Sequence, residues 1–155
     1  MLSQLKRAPL FLKVFVNTFA PYLGAGIRVT QMDLDAGMVD VEMPLTRLNK
    51  NYVGTQFGGS LYSMTDPFFM LILIHQLGPS YIVWDKNANI DFKSPGRGKV
   101  HAHIRIDADS VDDIRELASS GGAVLKTYTV RVLAEDNTVV AEVQKTLYIR
   151  KKKQH

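Results

Sequence analysis

The sequence predicts an α+β domain in which an antiparallel sheet wraps a single long helix. Two patterns carry that expectation. The first is the run from Phe57 to Leu77, whose non-apolar positions are mostly glycine, serine and threonine, with Asp66, His75 and Gln76 the exceptions. A helix that is apolar all round is buried all round. Drawn from Ser60 to Gln76 it would be roughly 25 Å long, the width of a small domain. It is too short and too interrupted for a membrane span, which needs about 20 mainly apolar residues. The second pattern is period-two alternation over much of the remaining chain, as in Val39, Val41 and Met43 against Asp40 and Glu42. That is the mark of strands with one buried and one wet face.

At 155 residues the chain suits one domain, 1–155, with a core of useful size. A hydrophobic content of 46% against 22% charged residues is that of a folded protein and argues against disorder. There is no cysteine, which excludes disulfides, a cysteine nucleophile and thiolate metal sites and fits a reducing cytoplasm. The net charge is +4, and the tail Arg150-Lys151-Lys152-Lys153 carries much of the excess. This basic tail, 150–155, reads as solvated; the balance favours a phosphate-bearing small ligand over nucleic acid. Lys6 and Arg7 before the apolar run Leu10 to Ala20 loosely resemble a signal peptide. Lys13 and Asn17 interrupt that run, however, and no small-residue cleavage site follows. The segment 1–26 is therefore read as a helical extension whose apolar side packs on the domain.

In order, Pro9 to Phe19 is expected as a helix ended by Pro21 and Gly24. Strands Ile27 to Leu34 and Met38 to Pro44 meet at the turn Asp35-Ala36-Gly37. The long helix closes at Gly78-Pro79. Tyr81 to Lys93 is a strand with Asp85, Asn87, Asn89 and Asp91 on one face and Trp84, Ala88, Ile90 and Phe92 on the other. After the turn Ser94 to Gly98, the strand Lys99 to Ala108 turns Val100, Ala102, Ile104 and Ile106 inward. Its other face carries His101, His103, Arg105 and Asp107. Ser110 and Asp113 form a capping box that opens a short helix, which stops before Gly121-Gly122. Strands Ala123 to Ala134 and Thr138 to Arg150 follow, joined at Glu135-Asp136-Asn137. Neither a repeat nor a second domain is visible.

This layout resembles the hotdog fold over about residues 27 to 150. Thioesterases of the 4-hydroxybenzoyl-CoA and phenylacetyl-CoA type carry an Asn, then His-Gly-Gly, then an acid on the helix seven residues past the second Gly. Here Asn51, Phe57-Gly58-Gly59 and Asp66 stand at the same spacing. The turn Phe92 to Gly98 also resembles the hotdog turn after the third strand, and the sequence resembles still more an uncharacterised thioesterase branch of that superfamily. The resemblance implies hydrolysis of an acyl-CoA or other acyl thioester, with Asp66 as nucleophile or general base. Gly59 N–H and Asn51 would act on the thioester carbonyl, Thr55, Phe57 and Gly58 would line the substrate, and Arg97 and Lys99 would hold coenzyme A phosphates. It further implies a homodimer or dimer of dimers built on the third strand, with the active site shared across the dimer. It implies no metal and no redox cofactor.

Two departures from the family pattern bear on activity. Phe57 replaces the motif histidine, and Pro67 follows Asp66 where a helix would lose a hydrogen bond. A non-catalytic protein that binds acyl thioesters or fatty acyl groups is the alternative; a hotdog dehydratase fits less, because it needs a histidine with its acid.

Each candidate also has a plainer role. Asp66, flanked by Met64 and Phe68, reads as a desolvated carboxylate suited to base chemistry, yet Asp-Pro is also a preferred N-cap and N1 pair. Gly58 and Gly59 read as a ligand-approaching turn or as a tight turn needing positive φ. Asn51 is equally a loop asparagine. Arg97 and Lys99 equally form a solvated hairpin tip. His101 and His103 could share a metal at i, i+2, but with Arg105 beside them and no placed acid they read as an exposed face. His75 reads as a helix-end residue.

Overall fold

The computed structural model describes residues 9–153, and its strands form one six-stranded sheet in the order β1-β2-β4-β5-β6-β3. The strands are β1 Arg28–Asp33, β2 Met38–Met43, β3 Tyr81–Phe92, β4 Val100–Arg105, β5 Ala123–Ala134 and β6 Val139–Lys151. Every pairing is antiparallel. Five helices accompany them: α1 Pro9–Thr18, α2 Ala20–Ala25, α3 Gly58–Ser63, α4 Phe68–Leu77 and α5 Ala108–Leu117. This α+β architecture is compatible with the hotdog fold.

Alternation sets the inner face of the sheet as expected: Val39, Val41 and Met43 of β2 are buried, as are Val100, Ala102 and Ile104 of β4. Against them α4 buries Phe68, Phe69, Ile72, Leu73 and Leu77, each worth about 1.5–3 kcal/mol relative to exposure. Phe69 stacks on Tyr128 of β5 with ring centroids 5.1 Å apart.

The long helix covers residues 58–77 but is interrupted, running as α3 and α4 with Met64 to Pro67 as a turn between them. Pro67 has no N–H to give the Ser63 carbonyl. That carbonyl accepts instead from the Tyr22 hydroxyl at 2.8 Å and from Asp66 N–H at 3.2 Å. The interruption is thus satisfied from α2, which is why α1 and α2 belong to the packed body. Pro21 does not end a helix as expected; it lies in the first turn of α2.

Two further expectations change for local reasons. α5 begins earlier than the Ser110–Asp113 capping box predicts: its N-cap is Asp107, whose side chain accepts from Ser110 N–H at 2.6 Å. β4 therefore stops at Arg105, and the Ser110 hydroxyl pairs with the Tyr128 hydroxyl at 2.8 Å. In β3 the register against β6 slips between Asp85 and Asn87, a bulge that leaves Lys86 over. Directly paired residues share a face, so before the bulge Asp85 stands with Leu147 and Trp84 with Tyr148. After it Ala88, Ile90 and Phe92 stand with Lys145, Val143 and Ala141. Asp85 thus leaves the polar row expected for it and turns inward, and Trp84 turns outward to meet Tyr148 at 5.2 Å. A bulge re-aims side chains in this way without ending the strand.

Residues 1–8 and 154–155, the first part of the expected extension with Lys6 and Arg7 and the end of the basic tail, lie outside the described residues. Among the described residues no helix is long and apolar enough to cross a membrane.

The turn at Asp35-Ala36-Gly37 is as expected and yields a test. Gly37 has φ +67°, and a Cβ there would stand 2.1 Å from the Ile106 carbonyl oxygen. Gly37→Ala should lower stability by about 3 kcal/mol, read as a fall in denaturation midpoint at unchanged m-value.

Candidate functional site

The helix break presents Asp66, whose side chain is 44% exposed. Its Oδ1 accepts from the Tyr62 hydroxyl at 2.6 Å and from Lys145 Nζ at 2.6 Å. Lys145 also donates to the Asp66 backbone carbonyl and to Asp85 Oδ2 at 2.8 Å. The lysine side chain is 0% exposed, and its ammonium lies 5.5 Å from the Tyr62 ring centroid. Burial alone would push the Lys145 pKa down. The hydrogen bonds and charges of Asp66 and Asp85 outweigh it and hold the value above the usual lysine range. Burial, followed by the hydrogen bond to Asp66, pushes the Tyr62 pKa up, so its proton stays on at neutral pH.

This arrangement differs from the expected one. Asp66 is not desolvated among Met64 and Phe68, but ion-paired on one oxygen and open on its outer side. Nor does it cap α4, whose N-cap position is Pro67 without a side-chain hydrogen bond. Lys145, Tyr62 and Asp85 were missed by sequence reasoning. The usable signal was Lys145 on the apolar row Val143, Lys145, Leu147, Ile149, all buried: a lysine placed there must meet carboxylates.

A cleft of about 390 Å³ lies nearby, lined by Asn51, Thr55, Gln56, Gly58, Leu61, Phe92 and the turn Lys93 to Gly96. Asp66 is not part of that lining. Asn51 spends its amide inside its own loop: Oδ1 accepts from Thr55 N–H at 2.9 Å, while Nδ2 donates to Thr55 Oγ1 at 2.9 Å and to the Gln56 carbonyl at 3.3 Å. Gln56 ties the loop down by donating to the Met43 and Gly98 carbonyls.

Neither Gly58 nor Gly59 has positive φ, so the tight-turn explanation fails. Close approach explains them. A Cβ on Gly58 would stand 2.9 Å from the Phe92 ring and one on Gly59 2.6 Å from the Phe57 ring. Phe57 is the N-cap of α3 and offers no side-chain acceptor to its first amides. The structure thus gathers Asn51, Thr55 and Gly58 in one cleft and lays the Phe57 ring against Gly59. Arg97 is exposed and outside the lining, and Lys99 pairs with Glu135 at 3.5 Å.

The histidine face does have a placed acid, contrary to expectation. β2 sets Asp40 opposite His103, and its Oδ1 meets His103 Nδ1 at 2.8 Å and Arg105 at 2.6 Å. His75, at the last turn of α4, bonds Asp35 at 2.7 Å.

A family model described as a domain of unknown function, DUF4442, matches residues 8–149. The comparison with curated proteins gives no match. Among solved structures, the chain is similar to a Pseudomonas aeruginosa protein of unknown function described as a probable thioesterase. The identity is 21% over 93% of this chain and 97% of that one, with a TM-score of 0.80. A Haemophilus influenzae thioesterase matches at 16% identity over 93% and 91% of the two chains, TM-score 0.67. A Staphylococcus aureus thioesterase variant matches at 14% identity over 84% and 98%, TM-score 0.61. At these identities the likeness establishes the fold.

The Asp40 cluster gives a pH test. Burial raises its pKa, but the hydrogen bonds from His103 and Arg105 outweigh that and set it below the usual 3.8. With the folded value depressed, the stabilisation is complete above 3.8 and is lost as pH falls through the folded value. Asp40→Asn should cost about 1 kcal/mol or less at pH 7, and its unfolding curves should converge with those of the parent below about pH 3.8.

Proposed function

The chain belongs to the DUF4442 family, and we propose that it hydrolyses acyl thioesters, acyl-CoAs first among them, with Asp66 as the reacting carboxylate. The observation that carries this reading is the state of Asp66. A carboxylate fixed by two donors on Oδ1, partly exposed, and not used as a helix cap is placed to act on something outside the chain. The thioesterase descriptions of the Pseudomonas and Haemophilus neighbours support the same reaction class. The Staphylococcus thioesterase has been solved with a glutamine replaced by alanine and, in another crystal, with a glutamate 15 positions further on replaced. Asn51 and Asp66 form an amide and a carboxylate at the same separation.

In the simplest form of the reaction, Asp66 takes a proton from water as the water oxygen bonds to the thioester carbonyl carbon. The carbonyl oxygen becomes an anion, held by N–H groups at the Gly58–Gly59 turn, while Asn51, its amide bound within its own loop, shapes that loop. Collapse breaks the C–S bond, and the thiolate leaves and takes up a proton. In the covalent form Asp66 attacks the carbonyl carbon itself and expels the thiolate as the C–S bond breaks, and water then hydrolyses the resulting anhydride, releasing the acid and Asp66. Thr55, Phe57 and Gly58 border the acyl group, and Arg97 and Lys99 meet phosphates. β3 is an edge of the sheet with Trp84 and Phe92 more than half exposed. A second copy pairing there would make a homodimer, or a dimer of dimers, and would bring a further wall to the site.

One observation favours acyl binding without turnover. The Phe57 and Phe92 rings lie against Gly59 and Gly58, an apolar cover where a carbonyl oxygen would need polar groups.

The test is thiol release from acyl-CoAs, acetyl to palmitoyl and aromatic, by the parent and Asp66→Asn. Turnover that falls at least ~100-fold in the variant is the expected result. No turnover, together with a Tm raised by acyl-CoA, would establish the binding reading instead.

A further inference from the structure

We infer that Lys145 and Tyr62 are positioning residues that fix Asp66 so that Oδ2, and not Oδ1, is its reacting oxygen. This inference rests on the reading of Asp66 given above and adds which atom reacts and what aims it.

The geometry is one of complete use on one side and none on the other. An ammonium has three N–H donors, and Lys145 Nζ has three acceptors: the Asp66 carbonyl, Asp66 Oδ1 and Asp85 Oδ2. No donor remains for a substrate, and the side chain is wholly buried, so Lys145 acts only through Asp66. By taking both the backbone carbonyl and the side-chain oxygen of one residue, it fixes the main chain and the carboxyl rotamer together. Tyr62 arrives from α3 on the other side and donates to the same Oδ1. Oδ2 has no hydrogen-bond partner among the described residues, in a carboxyl group with nearly half its surface open.

The charged and titratable groups around this point come from each packed element: Tyr62 from α3, Lys145 from β6, Asp85 from β3 and Tyr22 from α2. Asp85 reaches Lys145 only because the bulge at Lys86 turns it inward. One cation then faces two carboxylates, and Asp85, the less exposed of the two, keeps its buried Oδ1 without a hydrogen-bond partner among the described residues.

A structural ion pair alone would explain burial and stability but would have no effect on kcat at constant folding. The experiment measures kcat, KM and Tm for Tyr62→Phe and Lys145→Met, beside Asp66→Asn, on whichever acyl-CoA of the panel the parent turns over fastest. Tyr62→Phe should keep its Tm within a few degrees and KM within about twofold, while kcat falls at least tenfold, because a mis-aimed reacting group loses rate without losing binding. Lys145→Met should lose more kcat and also Tm, having left two carboxylates without their cation. Should Lys145→Met fail to fold, Tyr62→Phe decides. Parent-like kcat in folded Tyr62→Phe, with Asp66→Asn inactive, overturns the clamp and leaves the reading of Asp66 standing. Full activity in Asp66→Asn, or no turnover by the parent, overturns both.

Discussion

The buried ammonium of Lys145 is the constraint from which the neighbourhood of Asp66 follows. Isolated in an apolar interior, a lysine charge would cost several kcal/mol even after relaxation, so its partners must arrive with good geometry. They come from two places far apart in the sequence, 79 residues away at Asp66 and 60 at Asp85. Meeting them requires a break in the helix and a bulge in the edge strand, and both are present. Such ion pairs are weak evidence for stability; what this one supplies is a fixed carboxylate.

The helix break follows the same economy of polar groups. Pro67 frees the Ser63 carbonyl, and Tyr22 of α2 closes it from outside with a hydroxyl that burial holds strongly protonated. The chain can therefore leave helical geometry between Met64 and Pro67 without orphaning a backbone group. In an unbroken helix Asp66 would face whatever its turn dictated. In the break it is free to place its carbonyl and Oδ1 on one ammonium. The proline that read as a departure from the family pattern is thus what permits the carboxylate's present placement.

Much of the sheet was legible, because alternation in β2, β4 and β6 is strict and burial enforces it. The Gly37 turn and the end at Gly121 were legible for the same kind of local reason. The missing parts share a cause: each depends on a contact across the fold. Ser110 read as a cap, but Asp107, one residue past the expected inner row, caps instead by accepting from the Ser110 N–H itself. Asp85 looked like one of a polar row because nothing in Asp85-Lys86-Asn87 announces a bulge. For the candidate site, the Asn51, Gly58–Gly59 and Asp66 spacing was readable, but Lys145, 79 residues from Asp66, carries no local mark of that pairing. Lys145 was legible in principle, as a charge on an apolar row, and reading that row would have asked for two carboxylates.

The glycines and phenylalanines of the turn show how far the site's chemistry is set by shape. Gly58 and Gly59 adopt ordinary φ values, so their backbone would accept other residues; a Cβ there would make the rings of Phe92 and Phe57 swing aside. Both rings are more than half exposed, and an exposed ring held against a glycine backbone has an apolar face to offer. Any apolar group entering beside Leu61 would cover that face and remove it from water, at about 25 cal/mol per Å² of apolar surface. Asp66 lies outside the lining of the cleft that the Phe92 ring borders, so the ion-paired carboxylate and the aromatic wall are two distinct features joined by α3.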